Sequence, residues 1–532
     1  MTHLALTRPA DSLKRLKSRF ESSVFLQVLV LLLLCYVSYP MWFIAPFERS
    51  FSQPSIALAV LGYSKVLLAS FLVAFLCLVA NHANVRRNIL YRRLSWQAIK
   101  DNGEIDVRYF VLVVALVIAW AFSSYEYNFL YDQAHLFDRL LLIALGLLIL
   151  ANPYFIVPFT VFALVMVSQF KDSGLGNYAW IDKGPVFDLL ILSSVFVLLR
   201  LFVRVRPTSF LFLALCLQAS FYFIPGWAKV RLGPQPWNWV LGNHLHNIFV
   251  ASYVNGWLGF LNQSTIMQMA RIMAPLDIPF QIYTIVFELG GLFVFARKRL
   301  VPALLAGWIL LHLGIFFSSG IFFWKWIAVD AAFLALLWHN WRNEELNSLF
   351  QSRYFAVSLI IIALSPMYFS PSWLAWFDTR LNTVYDLEVI DAGGNTYRVD
   401  RGFAAPYDVI FSQNRFYYLS RDYLLTITYG AVLDYDLARA IENAGAAMPS
   451  KHSERGMGAH PTMRMLPRAL TASSRPTSTT STSTRTGGRY RCCPSRRITS
   501  TAFHQHLWAT SSFLSRQYVC ALWKRTTMVM TY

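Results

Sequence analysis

The chain has 532 residues, of which 56% are hydrophobic, 16% are aromatic and only 14% are charged. This composition excludes an ordinary soluble domain, in which about 25% of residues are charged, and it is typical of a protein embedded in a membrane. The net charge of +19 does not indicate a nucleic-acid partner, because residues 449–532 contribute +12 of it, with 13 Lys and Arg against one acid.

The first 370 residues consist of apolar stretches separated by short polar loops. Helices of these lengths match a hydrocarbon core of roughly 30 Å and leave few backbone groups without partners in lipid. We therefore predict an all-α polytopic membrane bundle of about 10–11 transmembrane helices. The expected spans are 24–44, 56–80, 109–125, 138–151, 154–170, 186–204, 208–224, 277–296, 301–319, 321–339 and 354–370. The short pair that meets at Asn152 and Pro153 is alternatively a single re-entrant element.

Basic clusters in alternate loops predict the orientation of the bundle. They fall at Lys14 to Arg19, at Arg86 to Arg93, at Arg200 to Arg206, at Arg297 to Arg299, and at Arg342 and Arg353. Positive loops stay in the cytoplasm. The N-terminal segment 1–23 is therefore expected inside and the region after Ser370 outside, in a multi-pass protein of a bacterial inner membrane whose constant partner is the lipid bilayer.

The region 371–448 has a different pattern from the transmembrane bundle of 24–370. Alternating residues from Val384 to Asp400 flank Gly393 and Gly394, which is a hairpin signal. Tyr407–Leu419 and Tyr423–Tyr429 add two possible strands, and Asp434–Ala447 is predicted to be a short helix. We expect a small β-rich extracytoplasmic appendage here.

Residues 449–532 form a basic tail rich in Ser and Thr, with too little apolar content to offset the entropy of ordering. We predict that it is disordered. Its abrupt change of composition fits a translated wrong reading frame, and a basic tail that touches anionic lipid is the alternative.

Candidate chemistry begins at the outer end of the seventh span. Pro225 and Gly226 are expected to end or kink that helix just before Lys229, and Trp227 lies beside the lysine in sequence. A lysine held against apolar surface becomes a usable base. The competing interpretation is an interfacial lysine that extends to the head groups.

Further polar residues lie at membrane depth: Glu288, His312, Lys325 and Asp330. Such groups usually face the bundle interior. They predict a polar pocket that opens outward and is lined by Lys229, Glu288, His312 and Lys325; alternatively, Glu288 and His312 simply bond across helices and hold the bundle together.

Two histidines, His244 and His246, follow in an outer segment that looks like an interfacial or re-entrant helix. On a helix, residues two apart point to different faces. We therefore expect no metal site here, while single hydrogen-bonding or proton-transfer roles stay open.

The chain resembles the integral-membrane domain shared by vitamin K-dependent gamma-glutamyl carboxylase and the bacterial horizontally transferred transmembrane domain (HTTM) family. The resemblance covers about Leu13 to Ala431. It rests on Pro225-Gly-Trp-Ala-Lys229 with Trp237 after it, and on the helix from His312 running into the aromatic return at Trp326. The outer β-region is far smaller than the lumenal part of the animal carboxylases.

The resemblance implies a fold and a role for two residues. Lys229 would deprotonate a reduced vitamin K-like quinone, whose oxygenation yields the strong base that removes a glutamyl γ-proton before carbon dioxide adds. His312 would orient the quinol or the growing anion.

Our leading interpretation is a carboxylase-like membrane enzyme with Lys229 and His312 as catalytic residues. Trp227, Glu288 and Lys325 would line the quinone site, and the appendage would present or cover a peptide or protein substrate. The alternatives are a non-catalytic membrane binding or scaffold protein, and a transporter in which Glu288, His312, Lys325 and Asp330 form a relay.

Overall fold

The computed structural model describes residues 9–38, 69, 72–76, 104–123, 136–168, 178–254, 257–369, 371–390, 393, 395–398, 431–443 and 520–529. Most of the expected second span 56–80 lies outside these residues. The same holds for the two possible strands 407–419 and 423–429, and for the tail except Cys520–Val529.

Helices hold 78% of the described residues, so the structure is mostly α-helical as predicted. In chain order they are α1 Pro9–Ser22, α2 Val24–Ser38, α3 Arg108–Ser123, α4 Leu136–Ala151, α5 Ile156–Ser168, α6 Tyr178–Phe202, α7 Pro207–Val230, α8 Asn238–Gly242, α9 His246–Val254, α10 Gln263–Met273, α11 Asp277–Gly290, α12 Leu300–Ser319, α13 Trp324–His339, α14 Glu344–Ser348, α15 Ser352–Ala363 and α16 Tyr435–Asn443.

Four described helical segments are long and apolar enough to cross a membrane: Pro185–Phe202, Pro207–Val230, Gln263–Phe293 and Leu300–Ser319. Arg15–Ser22 and Val24–Val37 make a fifth if this pair, bent by 95°, counts as one span. By length and composition these helices favour a membrane protein.

The helix α7 lies at the centre of the bundle, and nearly all of its apolar length is buried. It packs against α2, α6, α11 and α15. Pro207 occupies its first turn, where the missing N–H costs nothing. We expected Pro225 either to end this helix or to kink it. The helix does not end there but continues to Val230. A proline removes only one donor from the ladder, and packed neighbours in a bundle can compensate for that loss.

Five short or medium strands complete the described structure: β1 Phe377–Asp378, β2 Leu381–Ile390, β3 Thr396–Arg398, β4 Ala431–Val432 and β5 Cys520–Val529. The strands β2 and β3 pair antiparallel around Gly393, with Val389 opposite Tyr397, as the alternating pattern predicts. The strand β5 pairs with the other edge of β2. These ten residues lie in the tail, so for them the structure differs from the expected disorder.

The first strand of the appendage joins it to the bundle. β1 pairs with β4, Phe377 opposite Val432. Phe377 and Val432 form a small buried cluster with Ala438 of α16 and with Trp239 of α8. The indole N–H of Trp239 donates to the carbonyl of Trp376 at 2.8 Å. This contact places the appendage against the end of α7 that carries Lys229.

Candidate functional site

Lys229 and Glu288 form a close ion pair between α7 and α11. The lysine Nζ lies 2.8 Å from both carboxylate oxygens. The side chains are only 12% and 9% exposed. The Trp239 ring centre lies 5.4 Å from the same Nζ. Two charges removed from water in this way are stable only because each is the partner of the other.

Gly226 allows the two helices to approach at this pair. A Cβ at this position would lie 2.8 Å from the Cβ of Glu288 and 3.2 Å from the backbone nitrogen of Leu289. The missing side chain of Gly226 therefore sets the distance across which Lys229 reaches its carboxylate.

A second polar group, which we call the Asp330 cluster, consists of Gln218, Tyr222, His312 and Asp330. Asp330 accepts hydrogen bonds from the Gln218 amide at 2.7 Å and from the Tyr222 hydroxyl at 2.5 Å. The Nδ1 atom of His312 lies 3.2 Å from the same hydroxyl. All four side chains are buried. The cluster ties α7, α12 and α13 together.

Aromatic rings enclose the Asp330 cluster. Tyr222 stacks on Trp308 with ring centres 4.0 Å apart and planes 7° apart. Trp326 packs edge-on against Tyr222 at 5.5 Å. Phe323 lies 5.1 Å from the His312 ring. The Trp308 indole N–H donates to the carbonyl of Phe287 at 2.9 Å. Phe287 precedes Glu288 on α11, so the aromatic rings around the Asp330 cluster also contact the helix that carries Glu288.

The structure distributes the sequence-predicted residues over several places. Lys229 and Glu288 meet, while His312 belongs to the Asp330 cluster with Asp330. Trp227 is 42% exposed and stacks on Phe223 at 6.5 Å. Two positions apart on a helix are separated by about 200°, so Trp227 faces away from Lys229. Lys325 is half-buried in the first turn of α13, with its Nζ 6.0 Å from the Trp324 ring centre.

Two members of the Asp330 cluster, Gln218 and Tyr222, were not singled out from the sequence. Both lie on α7 four residues apart, and Lys229 follows seven residues later on the same face of the helix. Gln218 inside an apolar run was the signal that could have found this face, since polar groups at membrane depth need partners.

A third polar group consists of His244, His246 and Asp277, and we call it the histidine site. The His246 Nδ1 lies 2.6 Å from Asp277 Oδ2, and the His246 backbone N–H donates to Oδ1 at 3.0 Å. The His244 Nδ1 lies 4.0 Å from the same Oδ2. Burial lowers the pKa of His244, and so does the neighbouring His246, while Glu442 and Asp277 act in the opposite direction.

The local backbone explains why the two histidines meet. The helix α8 ends at Gly242, Asn243 is extended with φ −89° and ψ 142°, and α9 begins only at His246. The two histidines therefore do not lie on one helix, because His244 precedes it. The chain turns at Leu245, where the Asn247 N–H donates to the His244 carbonyl at 3.0 Å, and the two imidazole rings lie with centres 5.6 Å apart.

The loop of the histidine site is fastened to the appendage through Asn243 and Asp378. The Asn243 amide donates to Asp378 Oδ2 at 3.0 Å, and the Asp378 backbone N–H donates to Asn243 Oδ1. The Trp376 indole donates to Asp378 Oδ1 at 3.0 Å. Burial raises the pKa of Asp378 to about 7, although the hydrogen bonds from Asn243 and Trp376 act to lower it.

No protein-family model matches the chain, and neither a curated protein nor a solved structure matches it. The resemblance to the carboxylase-related membrane family therefore stays a prediction.

Proposed function

We propose that this protein is a multi-pass membrane enzyme of carboxylase-like chemistry, in which Lys229 acts as a base toward a lipophilic reduced quinone. The observation that carries the proposal is the Lys229–Glu288 pair. The one lysine singled out by the sequence as a base is largely withdrawn from water and held by a carboxylate at 2.8 Å. An interfacial lysine extending to head groups would instead leave its ammonium hydrated.

The finer topology belongs to the same proposal. We propose about 10–11 spans, with the N-terminus in the cytoplasm, and with Lys229 and the appendage at the outer face of a bacterial inner membrane. The four long helices, the bent N-terminal pair and the shorter apolar helices Arg108–Ala121, Pro153–Leu164 and Ser352–Ala363 support it.

The end of α7 that carries Lys229 offers aromatic surface for a flat lipophilic ring. Trp237 is 55% exposed, and the stacked rings of Phe223 and Trp227 add aromatic surface on the side of α7 turned away from Lys229. Aromatic faces bind planar apolar groups with little loss of side-chain entropy. When bound, a reduced quinone supplies an acidic hydroxyl and, with oxygen, the oxidising chemistry that the resemblance implies.

The ion pair can hold and move one proton. Lys229 keeps its proton while Glu288 is ionised, and the Trp239 ring at 5.4 Å favours that cationic form. When Glu288 takes the proton across the 2.8 Å contact, the amine becomes neutral and its lone pair can accept a proton from a nearby hydroxyl. The Lys229 side chain is 12% exposed, so it is not completely enclosed.

The decisive experiment replaces Lys229 by arginine. Lys229→Arg keeps a cation opposite Glu288, but a guanidinium does not give up its proton and cannot act as the base. We expect purified Lys229→Arg to fold and to lose at least about 100-fold in quinol turnover, within the range that general bases contribute.

Lys298→Ala is the matched control. Lys298, on the loop before α12, is also a partly buried lysine over a tryptophan ring, 4.3 Å from the centre of Trp341. It donates to the carbonyl of Trp341, which lies between α13 and α14. Its turnover should stay at the wild-type level. Wild-type turnover in a folded Lys229→Arg protein would remove Lys229 from the chemistry.

A non-catalytic scaffold is the second candidate, favoured by the Asp330 cluster. There the Tyr222 hydroxyl and the Gln218 amide both donate to the Asp330 carboxylate, as they would in a purely structural network. A scaffold predicts that wild-type protein turns over no quinol, retains no quinone through purification and copurifies with a protein partner.

A further inference from the structure

We propose that His244, His246 and Asp277 bind one divalent transition-metal ion of the zinc class. The three residues each offer one ligand atom, and these atoms all lie within 4.8 Å of one another. Two imidazoles and one carboxylate are a common ligand set for zinc sites that keep a coordination position open. The proposal is independent of the quinol chemistry assigned to Lys229.

The distances fit a site that contracts slightly around an ion. With metal–ligand bonds near 2.0–2.1 Å and a tetrahedral angle, ligand atoms lie roughly 3.3 Å apart. His246 Nδ1 and Asp277 Oδ2 are now 2.6 Å apart, and His244 Nδ1 is 4.0 Å from the same oxygen. Adjustments of about 1 Å bring these atoms to equal spacing around one centre.

The hydrogen bond between His246 and Asp277 does not account for the position of His244 beside the same carboxylate. His246 alone satisfies Asp277 Oδ2, and a separation of 4.0 Å is too long for a hydrogen bond from His244. The two rings nevertheless meet with centres 5.6 Å apart at 70°. Both imidazoles therefore lie close to a single carboxylate oxygen, as ligands of a shared ion would.

The surrounding contacts hold the three ligands in advance of binding. The His246 backbone N–H orients the Asp277 carboxylate at 3.0 Å. The Gln281 amide donates to the Asn243 carbonyl at 2.6 Å, one residue before His244. On the other side of His246, the Asn247 amide reaches Glu442 at 3.4 Å. Such supporting bonds fix ligand orientation and raise metal affinity.

The ligands also come from separate parts of the chain. Asp277 begins α11, whereas the histidines lie at the break between α8 and α9. The appendage covers the loop through Asn243 and Asp378. An ion here would cross-link the helix that carries Glu288 to the loop on which the appendage rests.

The test uses full-length protein purified in detergent with a tag that contains no histidine. After stripping with a chelator, zinc is titrated in competition with a chromophoric chelator, and cobalt is added separately to record its absorption spectrum. We expect one zinc per chain, displacement of cobalt by zinc, and a rise in melting temperature with zinc concentration, because a ligand that binds only the folded state stabilises it.

His244→Ala is the most informative variant, since its Nδ1 is too far from Asp277 for a hydrogen bond and its loss should leave folding intact. It should lower zinc affinity by at least about 100-fold, since even supporting residues around a metal contribute 10–100-fold. Asp277→Asn should act in the same direction.

His339→Ala removes an exposed histidine at the end of α13 and controls for adventitious zinc binding by a surface imidazole. The tail cysteines are the same in every variant, so zinc bound by them does not differ between the proteins. It should bind zinc as the wild type does. Equal zinc affinity in the wild type, His244→Ala and Asp277→Asn, or no binding by folded wild type, would overturn the proposal.

Discussion

Lys229 and Glu288 show how much one buried pair depends on both partners. The attraction across 2.8 Å offsets the loss of hydration of two side chains that are about one-tenth exposed. Removal of only one partner leaves a charge buried without compensation. The balance between these terms makes the pair a sensitive point of the fold, whatever its chemistry.

Lys229→Ala should therefore destabilise the protein by about 2–4 kcal/mol, because it leaves the Glu288 carboxylate unpaired. Addition of Glu288→Gln to the same protein should recover part of the lost stability, because burial of a neutral amide costs less free energy than burial of an unpaired carboxylate. Thermal unfolding in detergent of the wild type, both single variants and the double variant measures the coupling. Simple additivity of the two single effects would show that the pair contributes nothing to stability.

The sequence identified several of these residues but could not assign their partners. Lys229, Glu288, His312 and Asp330 stand out because charge at membrane depth is costly. Their grouping into a Lys229–Glu288 pair and a separate cluster around Asp330 depends on how α7, α11, α12 and α13 rotate against one another. Hydrophobic patterns in evenly apolar helices do not determine that rotation.

At the scale of elements, the contact between α7 and α11 depends on glycine at position 226. Gly226→Ala would push a methyl group to 2.8 Å from the Cβ of Glu288 and close to the backbone of α11. The helices must separate, which should cost about 1–3 kcal/mol and lengthen the Lys229–Glu288 contact.

Gly314→Ala is the matched control in another long apolar helix, α12. A Cβ at Gly314 meets no atom within 4 Å, so alanine should stabilise the helix by about 0.5–1 kcal/mol. The two melting temperatures should thus move in opposite directions. A Gly226→Ala protein as stable as the wild type would mean that the helices do not meet as closely as described.

Local breaks in helices were the elements that the sequence predicted least well. Pro225 was expected to end or kink α7, and the first of these alternatives is wrong, because the helix runs on to Val230. His244 and His246 were read as helical, yet the helix stops at Gly242 and the chain is extended at Asn243. At the histidines, the conformation of the three-residue break between α8 and α9 decides whether the two side chains converge.

At the scale of the whole molecule, the appendage and the bundle meet at polar contacts as well as at the small buried cluster around Trp239 and Phe377. Asp378 of β1 bonds to Asn243, and Glu442 of α16 accepts from the Asn247 amide at 3.4 Å. The hairpin of the appendage was predictable from its glycines and alternating residues. Its docking was not, because Asn243 and Asp378 are 135 positions apart and neither pattern identifies the other.

Asp378 should make this docking sensitive to pH. Burial raises its pKa in the folded protein to about 7 from an ordinary value of 3.8, while nearby Asp277 also raises it and Lys229 lowers it. The folded state therefore binds the proton more tightly than the unfolded state. The resulting stabilisation is complete below the ordinary pKa and is lost as pH rises through about 7.

The melting temperature of metal-stripped protein should accordingly fall between pH 5 and pH 8. Asp378→Asn should flatten this dependence, because an amide does not ionise when buried. Asp434→Asn is the matched control: Asp434 is an exposed carboxylate that caps α16 through the Leu437 N–H at 2.7 Å, a bond that asparagine can also accept. The histidines of the loop are the same in all three proteins, so a pH dependence in Asp378→Asn equal to that of the wild type would assign the effect to them instead.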